Sequence, residues 1–183
     1  MCIRDSASLW RLRLPADAPA LSPHIPHGFV LREFRPGDDD VAYLHAIVTA
    51  FADHPSPMVL NLDLLQRAHA RPEFSPADVA VVTPDDEPTQ IVGFCRLLDL
   101  HTTDALDGAE VSVIGVLPDQ RGLGLGRELL RWGIDTLRTR GADDVILHVE
   151  GRNDHALTLY TRHGFVHDME WPRWTWADAA AVQ

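Results

Sequence analysis

Between Glu110 and Leu130 the chain reads EVSVIGVLPDQRGLGLGRELL, an order of residue types that few folds accommodate. Val111-Ser112-Val113-Ile114-Gly115-Val116 is rich in β-branched residues and is closed by Pro118-Asp119, which predicts a strand and then a turn. Past Arg121-Gly122-Leu123-Gly124-Leu125-Gly126, apolar residues recur at Leu125, Leu129, Leu130, Ile134 and Leu137, the spacing of one helix face. A strand therefore runs through a glycine-rich turn into a helix. Glycines there let the backbone approach a ligand, and the unpaired N–H groups of the helix start attract anionic oxygens. The spacing narrows the choice of anion. A dinucleotide fingerprint begun at Gly122 needs glycine where Arg127 stands, and a Walker loop needs a Gly-Lys-Ser/Thr run that is absent. The pattern that fits is R-x-x-G-x-G, from Arg121 to Gly126.

With 183 residues the chain can build one well-cored domain. Sixteen basic residues against 27 acidic ones give a net charge of −11. That argues against a nucleic-acid partner, whose phosphates need a basic surface, and suits a cationic or amine substrate. No apolar run spans a bilayer and no signal-peptide core is present, so a membrane partner is not expected. Cys2 and Cys95 suggest no disulfide framework, and a reducing cytoplasm is the expected compartment. Ten histidines raise the question of a metal, yet neither H-E-x-x-H nor C-x-x-C occurs, and no metal is expected.

Along the chain, Leu9 to Leu14 alternates apolar residues with arginine, and Pro15, Pro19, Pro23 and Pro26 then break the segment up to Gly28. Residues 1–27 read as a leader, a strand remnant followed by a proline-rich linker, of the kind a preceding domain leaves behind. Phe29 to Arg35 is predicted as the first strand, followed by helices over residues 41–51 and 62–70. Strands are expected at Asp78–Thr83, Gln90–Leu98, Val111–Val116 and Asp144–Glu150, with a polar loop over residues 101–108. A short helix over Asn153–His163, a strand at Phe165–Glu170 and a final one through Trp171, Trp174 and Trp176 complete an α/β pattern with a mixed sheet. The three tryptophans suit either sheet core or a homodimer contact, and Cys95 suits core.

A second pattern stands about thirty residues past the glycine loop: Asn153-x-x-Ala156-x-x-Leu159-Tyr160-x-x-x-Gly164-Phe165. The two patterns, in this order, resemble the two signatures of the GNAT superfamily of acetyl-CoA-dependent N-acetyltransferases, over about residues 28 to 176. The resemblance implies an acetyltransferase domain over 28–177, with 178–183 as a tail. It implies a mixed sheet of about six to seven strands with about four helices, splayed between the fourth and fifth strands. It also implies acetyl-CoA as cosubstrate. Backbone amides of Arg121, Gly122, Leu123, Gly124, Leu125 and Gly126 would hold its pyrophosphate, with the Arg121 and Arg127 side chains adding charge. Its pantetheine would pair like an extra strand with Ile114, Gly115 and Val116, near Asn153 and Ala156.

Acetyl transfer requires an amine to lose a proton, an oxyanion to be stabilised and a thiolate to be protonated. Tyr160 is the candidate acid, since a phenol of pKa about 10 can protonate a thiolate. Glu110, at the start of the central strand, is the candidate base; in an alternating strand it shares a face with Ser112 and Ile114. His148 and His155 flank the expected cleft and can assist proton transfer. A narrower resemblance is to the C-terminal catalytic half of mycothiol synthases, through LREFRPGDDD, AFADHP, AEVSVIGVLP and LHVEGRNDHALTLY. Matching Glu110 and Tyr160, that family uses a carboxylate base and a tyrosine acid. Its substrate-contacting Glu, Lys and Tyr are replaced here by Ser56, Leu98 and His148. The chemistry is therefore expected to carry over and the acceptor to differ. Acetylation of a cysteinyl amine and an inert acyl-CoA-binding half remain the alternatives.

Overall fold

The structure, a computed structural model, describes residues 3–54, 60–98 and 109–176, with side chains from Ser8 to Pro172 within those ranges. Ser56, the loop over 101–108 and the tail from 178 lie outside the described residues. In chain order the elements are β1 (Ile3–Leu14), β2 (Phe29–Glu33), α1 (Asp40–Ala50), α2 (Leu62–His69), β3 (Val79–Pro84), β4 (Gly93–Leu98), β5 (Ala109–Val116), α3 (Leu125–Thr139), β6 (Val145–Glu150), α4 (Asp154–Arg162) and β7 (Val166–Trp176). The strands form one open sheet in the order β2-β3-β4-β5-β6-β1-β7. Only β5 and β6 run parallel; the other neighbours are antiparallel. The expected mixed sheet flanked by four helices is thus present. No helix among the described residues is long and apolar enough to cross a membrane.

Two differences from the sequence reading compensate in the strand count. The first strand is Ile3–Leu14 rather than Phe29–Arg35, and it pairs with β6 on one side and β7 on the other. Its alternation has a purpose: Leu12 and Leu14 are buried, while Arg11 and Arg13 reach the other face to meet Asp168 and Asp144. At the other end, the two short strands expected after Gly164 are one strand, β7, made continuous by its long pairing with β1.

The proline-rich stretch after β1 crosses α3 as a strap. Lacking N–H groups and regular partners, it offers carbonyls, and Arg138 donates to Pro15 O at 2.8 Å and to Ala18 O at 2.7 Å. Further on, the His24 amide donates to Glu128 Oε2 at 2.7 Å. Glu128 is fully buried and also accepts from Arg127 Nε at 2.6 Å, with Arg131 at 3.5 Å. Burial alone would raise its pKa, but the amide and the two arginines outweigh burial and hold it below the usual carboxylate range. The carboxylate's contribution is therefore complete above the ordinary glutamate range and fades as pH falls through the lowered native value. Glu128→Ala should cost about 1–3 kcal/mol at neutral pH, because it removes charge-assisted hydrogen bonds whose donors, Arg127, Arg131 and the His24 amide, can turn partly to water. Urea unfolding at pH 7 and pH 4 measures this, and the gap between wild type and variant should narrow at the lower pH.

α3 seats its apolar face on the sheet, with Leu129, Leu130, Ile134 and Leu137 inaccessible to solvent. Gly133 permits close contact: an added Cβ would stand 3.1–3.3 Å from Val111, Leu97 and Cys95. Those three residues therefore mark the α3 face. On the opposite face, Phe94 packs on Tyr43 of α1, with ring centroids 5.5 Å apart.

The pairing of β4 with β5 carries a bulge. Leu97 pairs with Val111 but Arg96 with Val113, leaving Ser112 as the extra residue. Strict alternation from Glu110 therefore fails. Glu110 shares its face with Val113 and Gly115 rather than with Ser112 and Ile114, because the bulge switches the parity of the strand.

Candidate active site

β5 and β6 pair at only two positions, Ala109↔Val145 and Glu110↔Ile146. Beyond them the strands part, as expected for the fourth and fifth strands of the sequence reading. From Val111 to Val116, β5 bonds to β4 along one edge and has no strand partner along the other. Backbone groups of Ile114, Gly115 and Val116 thus line a gap into which an extended amide chain can pair.

At the far end of β5 the chain turns through Gly122 and Gly124, both left-handed, with φ of +85° and +87°. Gly124 is the N-cap of the 15-residue α3, and its carbonyl already accepts from the Arg127 and Glu128 amides. The amides of Leu125 and Gly126 precede the first intrahelical bond and are free for an anion. An added Cβ at Gly122 would meet nothing within 4 Å, so the loop borders open space. These features fit a diphosphate. Arg121 is engaged differently from its expected place beside the phosphates: its guanidinium turns back to Ala50 O at 3.0 Å and Val116 O at 3.4 Å. It braces the end of α1 against β5. Arg127 does lie by the loop, with Nη2 3.3 Å from where a Gly124 Cβ would stand.

Asn153 is the N-cap of α4, its side chain accepting from the Ala156 amide at 3.1 Å. The second motif thus starts the helix that carries Tyr160. Gly164, at the end of α4, abuts Leu14, which lies on the α3 side of the sheet. Tyr160 is 6% exposed, and its ring is tilted against that of Phe165, with centroids 6.0 Å apart. Burial pushes its phenol well above the ordinary range, with a smaller push from Cys95. It stays protonated throughout the range in which amines are assayed.

Glu110 occupies the opposite face, at the apex where β5 and β6 separate. Its Oε1 lies 3.1 Å from His148 Nδ1, and both side chains are largely but not wholly buried, at 15% and 28% exposure. Ile146, His148 and Glu150 share that face of β6, since Ile146 pairs with Glu110. Trp171 lies 5.6 Å from the His148 ring, and Arg11 lies over Trp171 at 6.0 Å. Further along, His54 Nε2 approaches Glu150 Oε2 at 3.8 Å, linking the segment after α1 to β6 across the gap. Glu150 and His54 were not singled out from sequence. The available signal was the polar pair His148 and Glu150 on one face of an otherwise apolar strand.

His155 is exposed on α4. Cys95 is buried and its thiol is pushed up by burial, the state of a core residue. Of the three terminal tryptophans only the Trp171 side chain is described, and it is 37% exposed. No group of three or more metal-ligating side chains occurs among the described residues.

Residues 43–165 match the model of the Acetyltransferase (GNAT) family. The chain is 39% identical over 170 residues to the mycothiol acetyltransferase of Thermobispora bispora, covering 92% of this chain and 55% of that protein. It is 39% identical over 168 residues to the mycothiol acetyltransferase of Frankia casuarinae, covering 86% and 48%. The chain thus spans about half the length of the curated relatives it matches. Among solved structures it resembles a GCN5-related N-acetyltransferase from Sphaerobacter thermophilus, with a TM-score of 0.74 at 25% identity, covering 92% of this chain and 50% of that one. A parted parallel strand pair, a glycine loop at a helix start and these matches converge: this chain belongs to the GNAT acetyltransferase family.

Proposed function

We propose that this chain transfers an acetyl group from acetyl-CoA to a primary amine of a small molecule, by direct attack in a ternary complex. The observation that carries the reading is the Glu110–His148 pair at the apex of the gap, beside a buried Tyr160 on the helix that the Asn153 motif starts. Acetyl-CoA, when bound, supplies an activated thioester. The chain's own residues manage protons. An amine that enters as ammonium must lose two protons on becoming an amide, and one of them ends on sulfur. Glu110 takes the first, and His148, hydrogen-bonded to it and partly exposed, offers it an exit to solvent. Tyr160, kept as a phenol, holds a proton for the leaving sulfur. The backbone edge near Val116 supplies an N–H toward the developing oxyanion.

Acetylation of a cysteinyl amine, the reaction in the names of the relatives, is the second reading, favoured by their identity to this chain. Leu98 and His148 weigh against it, since each replaces a polar substrate contact of that family. An inert acyl-CoA-binding half is weakened by the presence of both an acid and a base. Calorimetric titration should show acetyl-CoA binding, and a panel of amines, amino acids, aminoglycosides and a cysteinyl pseudo-disaccharide should reveal CoA release with at least one small amine. No heat and no melting shift at millimolar acetyl-CoA would end the reading. Binding with silence across the panel would favour the inert half.

A further inference from the structure

On the Glu110 face of the sheet, half-buried Arg96 of β4 stands opposite Val113. Among the described residues no carboxylate pairs with it, and its charge is felt at the buried Tyr43 and at His69. A half-buried guanidinium without a counter-ion is uncommon, because burial of a charge is ordinarily offset by a partner.

Beside Arg96 opens a small recess of about 50 Å³, partly open to solvent and lined by Ala68, Arg71, Phe74, Asp78, Arg96 and Leu98. Its other charges are accounted for. Asp78 is bound to Arg140 at 2.5 Å. Arg71 and Glu73 stand exposed at the rim with opposite signs. His69, stacked on Phe74 at 4.3 Å, is held toward its neutral form chiefly by burial. Among the described residues Arg96 is left as the unbalanced charge. Leu98 pairs with Glu110, so Arg96 lies one strand across and two residues along from the candidate base. Strand spacing and rise make that about 8 Å between backbones, a span that a small bifunctional molecule can bridge with its end groups.

We propose that the acceptor is a small amine that also carries a carboxylate, an amino acid or close analogue. Its carboxylate pairs with Arg96 and its amino group meets Glu110. Phe74, Ala68 and Leu98 supply the apolar wall for its side chain. Arginine suits this role through its planar, two-pronged geometry toward a carboxylate. The proposal rests on the acetyl-transfer reading above and adds the class of acceptor.

The test compares leucine with 3-methylbutylamine, which differs by the carboxylate alone, in acetyl-CoA-dependent CoA release. Leucine should be preferred in kcat/KM by at least about tenfold, since a site built for a charged group rejects an analogue lacking it. Arg96→Met should erase the preference by slowing leucine alone, and Arg96→Lys should keep part of it; melting curves confirm that both variants are folded. Equal use of the two acceptors, or an equal loss for both in Arg96→Met, would overturn the proposal. If neither acceptor turns over, the product analogues N-acetyl-leucine and N-(3-methylbutyl)acetamide are titrated into the CoA-loaded protein. Selective binding of N-acetyl-leucine, lost in Arg96→Met, would uphold the subsite while counting against acetyl transfer. Binding of neither, or of both alike, would sink the subsite.

Discussion

Glu110→Gln should lower kcat by about 10²–10⁴-fold at pH values where the acceptor is an ammonium ion, and part of that loss should return as pH rises. The variant keeps the shape and a hydrogen bond toward His148 but cannot take a proton. Raising pH, or choosing an acceptor of lower pKa, supplies the amine already deprotonated, so the need for the base falls. His148→Gln should show the same pH dependence with a smaller loss, because Glu110 could still release its proton to water more slowly. Tyr160→Phe should lose a comparable factor with no such rescue, since its proton serves the sulfur. Burial keeps Tyr160 a phenol above its ordinary range, so loss of its acid function should not appear as a falling limb below pH 10. Acetyl-CoA affinity, read by calorimetry, should change little in all three. Full activity of Glu110→Gln from pH 6 to 9 would remove the carboxylate from the mechanism and leave His148 or water as the base.

Gly124→Glu should weaken acetyl-CoA binding by at least about 100-fold, the loss of one or two charge-assisted hydrogen bonds. Three effects act in one direction. Gly124 sits at φ +87°, where any side chain is strained. The new carboxylate would put negative charge at the N-terminus of α3, where the pyrophosphate is expected. It would also lie within reach of Arg127, whose Nη2 stands 3.3 Å from the place a Cβ would take, and so draw that cation away from the ligand. Gly122→Ala separates strain from blockage. It shares the left-handed backbone but meets open space, so it should lose far less affinity. Wild-type-like binding by Gly124→Glu would show that the phosphates lie elsewhere.

How much of this could be read from sequence follows from the range of each interaction. β5, the glycine turn and α3 announce themselves because their signals are local: a β-branched run, glycines needing positive φ, and a helical stripe that is buried as predicted. Glu110 and Tyr160 were reachable only through the spacing of two motifs. β1 reads from sequence only as a strand remnant outside the domain, because alternation with arginine looks weak until Asp144 and Asp168 are found opposite, and those partners lie at the other end of the chain. The bulge at Ser112 was invisible for a similar reason. It is a property of how two strands register, and nothing in Val111-Ser112-Val113 alone requires it. Arg96 looked like an ordinary strand residue, and its meaning depends on what fails to stand near it.

The placement of β1 sets an order for assembly. A ribosome makes this strand before the others of the sheet, yet Leu9 finds its partners Glu150 and Trp171 only about 140 and 160 positions later. Until β6 and β7 emerge, β1 has no edge to join, and once they do they cannot neighbour each other without it. Closure of that half of the sheet is therefore a late, long-range event, expected to limit the folding rate and to leave β-edges open to other chains meanwhile. The Arg138 and Glu128 contacts can shorten that interval, because they tether the strap to α3 and hold β1 near its slot before its partners are complete.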